Sequence, residues 1–449
     1  MNVVIIGNGI SGITAARHIR KRSDATITVI SAETDYFFSR TALMYIYMGH
    51  MRFKDTQPYE PFFWKKNRIN LKRTFISDVD VENKQLVASD GEIISYDKLI
   101  LATGSTPNKF GWPGQDLNRV GGLYSFQDLE AMEAASPGLK RAVIVGGGLI
   151  GLEMAEMFLS RGIAVTFLVR EKSYWDILIP PEESQMINRH IVEHGIDLRL
   201  ETELKEIVDD GNGNACAVIT NTGERIDCGY VGLTAGVHPN VGFLKGGKIE
   251  IGRGILVDEY LQTNIPDIYA IGDCSEQRNP MPGRRPIEAV WYTGRMMGET
   301  VAATICGTPT VYNPGIWFNS AKFLDIEYQV YGTVLANPPE NHQSIYWEAD
   351  DGKKSVRIVF DKDDKTILGF NLMGIRYRHE VCEKWIREQT NVEIVLRDLS
   401  LANFDPEFFR QYEADVIRQY EKMTGTTIRQ SNKRGLDNVL RFLKGVMVL

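Results

Sequence analysis

The chain has 449 residues, 43% of them hydrophobic and 24% charged, an ordinary globular composition with length for two or three domains. A formal net charge of -7 and a pI near 5.7 argue against nucleic acid or an anionic membrane as the main partner, because either favours a basic face. No run reaches the ~18 consecutive apolar residues of a membrane helix, and Met1-Asn2 lead straight into a strand without a basic leader, so a cytoplasmic protein is expected.

In chain order, Val3-Val4-Ile5-Ile6 reads as a buried strand, followed by Gly7-Asn8-Gly9-Ile10-Ser11-Gly12 and a helix over Ile13 to Arg20. A lone G-x-G-x-x-G is weak, but strand, glycine turn and amphipathic helix in this order form the context that the dinucleotide fingerprint requires. Its glycines let backbone amides approach a pyrophosphate at a helix N-terminus, where the helix dipole favours negative charge. A second strand covers Ile27 to Ile30, with Ser31 at its end and Glu33 two residues on, and an aromatic stretch runs from Tyr36 to Trp64. Tyr96 to Ser105 reads as a strand entering a tight turn at Thr103-Gly104.

The same logic recurs at Ala142-Val143-Ile144-Val145 and Gly146-Gly147-Gly148-Leu149-Ile150-Gly151, with a helix to Ser160, Gly162 as its cap and a strand over Val165 to Val169. Two aligned copies indicate an internal duplication and two dinucleotides. Past that strand stand Arg170, Glu171 and Lys172. An arginine there favours the 2'-phosphate of NADPH and an acid favours the ribose hydroxyl of NADH, so the choice stays open with a lean to NADH.

His190-Ile191-Val192-Glu193-His194 fits H-x-x-E-H, but two free positions make a chance match easy, and histidines before Gly195 also complement a helix C-terminus. No metal site is assigned. Cysteines at 216, 228, 274, 306 and 382 form no C-x-x-C pair, so neither a disulfide framework nor a clustered zinc site is expected.

Beyond Gly236 the pattern returns to the first unit, ending at Ile268 to Asp273. Glu288 to Tyr292 begins an expected helix, with Trp291 open to a core reading beside any functional one. After about Pro314, Asp325 to Val330, Val356 to Phe360 and Ile367 to Met373 alternate with period two, and helical runs follow from Glu380 and Pro406. Apolar positions 436, 439, 440, 443 and 446 form a helical stripe, read as core or dimer packing.

Gly7 to Gly12, the Ala102-Thr103-Gly104 turn, Gly146 to Gly151 with Glu153, and Ile268 to Asp273 occur in an order and spacing similar to the pyridine nucleotide-disulfide oxidoreductase superfamily. The resemblance implies an α/β fold with two Rossmann-like domains, FAD on 1-115 with 236-314, NAD(P)H on 116-235, and an α+β interface domain over 315-449. It places Gly7, Gly9, Gly12, Thr103, Gly104, Gly272 and Asp273, with Glu33 on the adenosine side, around FAD. It places Gly146, Gly148, Gly151, Arg170 and Glu171 around NADH or NADPH, with Glu153 near the nicotinamide, and gives Arg40 and Trp291 places beside the flavin.

Relatives that reduce disulfides carry a Cys-x4-Cys pair after the first unit, and none exists before Cys216. Single-cysteine relatives place their thiol where Thr41 stands in Phe38 to Tyr45, and a hydroxyl cannot cycle through sulfenic acid. The peroxidase histidine position is Ile10. The chain therefore resembles the thiol-free branch of rubredoxin and ferredoxin reductases and the flavin module of NADH-dependent nitrite reductase. The implied partner is a small iron-sulfur protein of rubredoxin or ferredoxin type. A small-molecule oxidant such as a quinone or oxygen is the alternative, and a redox-responsive binding flavoprotein resembling apoptosis-inducing factor a third. In that branch a lysine stands where Tyr45 does here. A homodimer is a further expectation.

Overall fold

The computed structural model describes residues 1–404 and 410–429. The 436 to 446 stripe and Pro406 lie outside the described residues. Two compact units emerge, Met1–Trp175 with Ile187–Gly315, and Asp176–Met186 with Ile316–Leu449.

In the first unit, Val3, Val4 and Ile5 are wholly buried, as expected for a parallel strand covered on both faces. Asn2–Ile6 pairs in parallel with Thr26–Ser31 on one side, Val4 opposite Thr28, and with Lys98–Leu101 on the other, Val4 opposite Leu99. Ile268–Ala270 and Ile69–Arg73 complete five strands in the order Ile268–Ala270, Lys98–Leu101, Asn2–Ile6, Thr26–Ser31, Ile69–Arg73.

A second parallel sheet repeats that order with Val120–Gly121, Tyr230–Leu233, Arg141–Val145, Ala164–Leu168 and Asp197–Arg199. Each fingerprint strand is central, and each is flanked by a strand that runs into a turn, Ala102-Thr103-Gly104 in one copy and Thr234-Ala235-Gly236 in the other. The duplication read from the glycines thus extends to four of the five strands; the outer strand differs, Ile268–Ala270 entering last in the first sheet and Val120–Gly121 entering before the fingerprint strand in the second. Two three-stranded antiparallel sheets, Ile76–Asp80 with Gln85–Ala88 and Ile93–Ser95, and Leu204–Asp209 with Ala215–Thr220 and Arg225–Asp227, add to the unit.

The second unit has five antiparallel strands in the order Phe318–Phe323, Ile326–Gly332, Ile367–Met373, Ser355–Asp361, His342–Glu348. One face carries Val356, Ile358, Phe370 and Leu372 against the helices His379–Arg387, Val392–Arg397 and Glu413–Thr424. From the other face Arg357 reaches the fully buried Glu183, Nε to Oε1 at 2.8 Å and Nη2 to Oε2 at 2.9 Å, and Asn371 donates to the same carboxylate. A buried carboxylate needs such partners. They explain why Asp176–Met186, inside the segment 116-235, groups with this unit.

Candidate functional site

The first glycine loop is built by contacts that exclude side chains. Gly7 adopts φ +115°, a region open to glycine, and a Cβ there overlaps the Ala102 carbonyl. A Cβ on Gly12 overlaps the Gly7 carbonyl. Gly9 differs, since a Cβ there meets nothing among the described residues within 4 Å and its φ is an ordinary -70°. The fold itself does not require glycine at this position, whereas close approach of a phosphate to the amides does. Gly9 is also the N-cap of the Ile10–Arg22 helix, which has no side-chain cap and no acid in its first turn. By contrast, Ser125 and Asp128 form a capping box on Phe126–Ala135.

The second loop repeats this arrangement. Gly146 has φ +110°, and a Cβ there lies 2.7 Å from the Ala235 nitrogen, while one on Gly151 lies 2.7 Å from the Gly146 carbonyl oxygen. A Cβ on Gly148 has only the Thr234 carbonyl, at 3.7 Å. Gly148 caps Leu149–Ser160, again with neither a side-chain cap nor a first-turn acid. Glu153 therefore stands beyond the first turn of this helix. Its charge bears on the fully buried Tyr174, whose phenol is raised well above the ordinary value, first by burial and then by Glu153.

Arg170 and Glu171 separate clearly. The Arg170 side chain is 70% exposed and its Nε donates to Glu171 Oε1 at 2.7 Å. Glu171 is 18% exposed, and its Oε2 stands 3.8 Å from where a Gly147 Cβ would be. The acid faces the loop.

Around the first loop, Arg40 binds Glu33 with both terminal nitrogens, donates to the Tyr124 carbonyl and lies over the Tyr124 ring, its Cζ 4.7 Å from the centroid. Glu33 Oε1 also accepts the Phe126 amide at 2.8 Å, so the carboxylate expected on the adenosine side already serves Arg40 and a helix N-terminus. Asp273 follows Gly272, which has φ +75° and whose added Cβ would overlap the Ser11 hydroxyl. Burial raises the Asp273 carboxyl pKa, while Tyr124 and Ser105, each donating a hydroxyl to Oδ2 at 3.3 Å, act against that rise. Tyr124 fills the space that Gly104 leaves open at φ +70°, where an added Cβ would meet its hydroxyl at 2.7 Å. Thr103 turns away and donates to the Asn240 carbonyl at 2.7 Å. The sequence reading missed Tyr124 and Ser105; only the Ser125-x-x-Asp128 cap next to Tyr124 carried a readable signal.

The helix after the return to the first unit runs Trp291–Ile305 from an extended Val290, not from Glu288. Glu288 is instead locked by Arg284, Nε to Oε1 at 2.7 Å and Nη2 to Oε2 at 2.6 Å, both side chains buried. Trp291 is 37% exposed, which overturns the core reading of that residue. Gly294 and Gly298 bring this helix against Ile10–Arg22, since a Cβ on either would meet Ser11 atoms at 2.5 and 2.6 Å. Three elements, the first loop, the Gly272-Asp273 turn and this uncapped helix, thereby converge on Ser11.

All five cysteines are unpaired. Burial pushes the Cys228 thiol up to about 12 and raises Cys274 and Cys382 as well. Such groups remain thiols rather than nucleophilic thiolates. Thr41 is exposed, its hydroxyl 3.2 Å from that of Ser39. Tyr45 stacks on His50. His194 Nδ1 lies 2.9 Å from the His190 carbonyl, the local contact of a helix end. Among the described residues no helix is long and apolar enough to cross a membrane.

A family model described as pyridine nucleotide-disulphide oxidoreductase matches residues 1–298. An NADH oxidase of Methanocaldococcus jannaschii is 31% identical over 400 residues, covering 83% of this chain and 88% of the relative. A nitrite reductase using NAD(P)H, from Bacillus subtilis (strain 168), is 29% identical over 365 residues; the alignment takes in 81% of this chain but only 43% of that enzyme. The solved structure of an NAD-dependent persulfide reductase from A. fulgidus superimposes with a TM-score of 0.83 at 23% identity, covering 95% of this chain and 84% of that one, a likeness of fold.

Proposed function

Because the chain belongs to the pyridine nucleotide-disulphide oxidoreductase family, we propose that it is an FAD-dependent NADH oxidoreductase that passes electrons to an external acceptor without a redox-active cysteine. The carrying observation is one loop design used twice, Gly9 and Gly148 each opening an uncapped helix toward space that the protein's own packing does not claim. Held there, FAD would supply two-electron acceptance from the reduced nicotinamide and onward release of both electrons to the acceptor, with the proton lost to solvent.

The protein's own residues do the rest. Amides at Gly9 and Ile10 bind the FAD pyrophosphate, Asp273 and Tyr124 orient the same cofactor, and the Trp291–Ile305 dipole favours negative charge on the flavin. Gly146, Gly148 and Gly151 hold the nicotinamide dinucleotide and Glu171 its ribose hydroxyl; Glu153 stands toward the nicotinamide. The inward Glu171 and outward Arg170 support NADH over NADPH. On this reading 1-115 with 236-314 carries FAD, 116-235 carries NADH, and 315-449 is a separate α+β domain.

The leading acceptor is a small iron-sulfur protein, supported by Thr41 in place of a thiol and by three cysteines that burial holds protonated. A second reading, oxygen or a quinone as acceptor, is favoured by the relative named NADH oxidase, which the alignment covers almost end to end. Reduction by NADH under anaerobic conditions followed by acceptor challenge separates them. Fast reoxidation by a rubredoxin or ferredoxin supports the first reading, and reoxidation by oxygen or menadione alone replaces it with the second. A reduced state that outlasts both challenges rejects both and points to the binding flavoprotein.

A further inference from the structure

The two loops differ in one respect. In the second, side-chain hydroxyls reach the loop carbonyls: Tyr174 OH donates to Gly148 O at 2.9 Å, and Thr234 Oγ1 shares its one proton between Val145 O at 3.0 Å and Gly146 O at 3.2 Å. Thr103, which stands near the corresponding turn of the first copy, donates instead to Asn240.

Tyr174 is heavily anchored for this task. It is wholly buried, its ring lies 5.8 Å from that of Phe167, and Phe167 in turn closes on Gly151, 3.1 Å from where a Cβ would be. The Tyr174 amide donates to Asn188 Oδ1 at 3.0 Å, and Asn188 Nδ2 donates to Ser173 Oγ at 2.7 Å. The next residue, Trp175, is held at φ +63°, an outlier for a bulky side chain that persists only where the surroundings over-determine it.

We propose that Tyr174 is a positioning residue for the nicotinamide dinucleotide, acting through the Gly148 peptide. A trans peptide is planar, with its C=O and N–H pointing opposite ways. The Gly148 carbonyl also accepts the Leu152 amide of its own helix at 3.3 Å, longer than the 3.0 Å between Ile13 N and Gly9 O in the first loop, so the phenol is a second hold on this peptide that keeps its Leu149 amide aimed at the helix N-terminus where the pyrophosphate binds. Burial and Glu153 keep the phenol protonated, so the donor persists across the physiological range. This inference rests on the second loop being the nicotinamide site.

The test is calorimetric titration of the FAD-loaded protein with ADP-ribose, which carries the pyrophosphate and cannot reduce the flavin, alongside steady-state kinetics with NADH. For Tyr174→Phe the expected result is a Kd for ADP-ribose and a KM for NADH raised roughly five- to tenfold, the size of one neutral hydrogen bond. Flavin content and kcat at saturating NADH should stay close to wild type. Thr234→Val should move the same two constants in the same direction, which guards against a private packing effect of either variant. An unchanged Kd in Tyr174→Phe, or a loss of flavin content and kcat equal to the rise in KM, overturns the proposal. Wild-type protein that binds FAD but no ADP-ribose overturns the assignment of the second loop instead.

Discussion

Arg40 grips Glu33 through two parallel bonds, Nη1 to Oε1 at 2.9 Å and Nη2 to Oε2 at 2.6 Å, closing the loop between the second strand and the aromatic segment. Burial disfavours the Arg40 charge, and the Glu33 bonds more than reverse that, so its pKa is raised. Since Glu33 also takes the Phe126 amide, one carboxylate joins three stretches of chain beside the first loop. Glu33→Gln is expected to destabilise the apoprotein by about 1–2 kcal/mol, because a partly buried guanidinium loses its anion. A urea-unfolding double-mutant cycle with Arg40→Gln checks this; additive losses would show that the pair is incidental.

Gly9→Val should yield a folded protein that does not retain FAD. Nothing among the described residues lies within 4 Å of the added Cβ, so the cost falls on the cofactor. Gly12→Ala should fail to fold, because its Cβ overlaps the Gly7 carbonyl. Circular dichroism and flavin content of the two purified variants make the comparison.

Glu171→Ala should weaken NADH more than NADPH, since the acid faces the loop, whereas Arg170→Ala, whose side chain points outward, should change the NADH-to-NADPH preference by no more than about twofold. Ratios of kcat/KM for the two dinucleotides report it, and equal effects in both variants would remove specificity from these residues. Thr41→Ser should leave turnover within about twofold, as a neutral hydroxyl takes no part in electron transfer.

Asp273 gives a pH signature. Its native pKa is raised by burial, so between the unfolded value of about 3.9 and the raised native value the native state binds the extra proton. Its contribution therefore destabilises the apoprotein progressively as pH rises through that window. Asp273→Asn should flatten this decline and stabilise the apoprotein at neutral pH while weakening FAD retention. Thermal unfolding of both apoproteins from pH 4 to 8 tests the sign.

The glycine signatures and the buried Val3 to Ile6 and Ala142 to Val145 runs made both sheets legible, because backbone approach to phosphate constrains the local sequence severely. The helix start at Glu288 was misplaced: its buried partnership with Arg284 spans four residues of irregular chain and leaves no periodic trace. Tyr124 and Tyr174 were invisible for a related reason. Each acts on a glycine loop distant in sequence, at Gly104 and Gly148, through one hydroxyl that propensity does not register. The grouping of Asp176–Met186 with the second unit depends on Arg357, 174 positions beyond Glu183.

The most direct test of the account is anaerobic titration of the purified protein with NADH while the flavin absorbance is followed. The predicted result is a yellow protein whose oxidised band is lost at about one NADH per FAD, in wild type and in Thr41→Ser alike. A colourless polypeptide that cannot be reconstituted with FAD, or bound flavin that NADH and NADPH both leave oxidised, would contradict it.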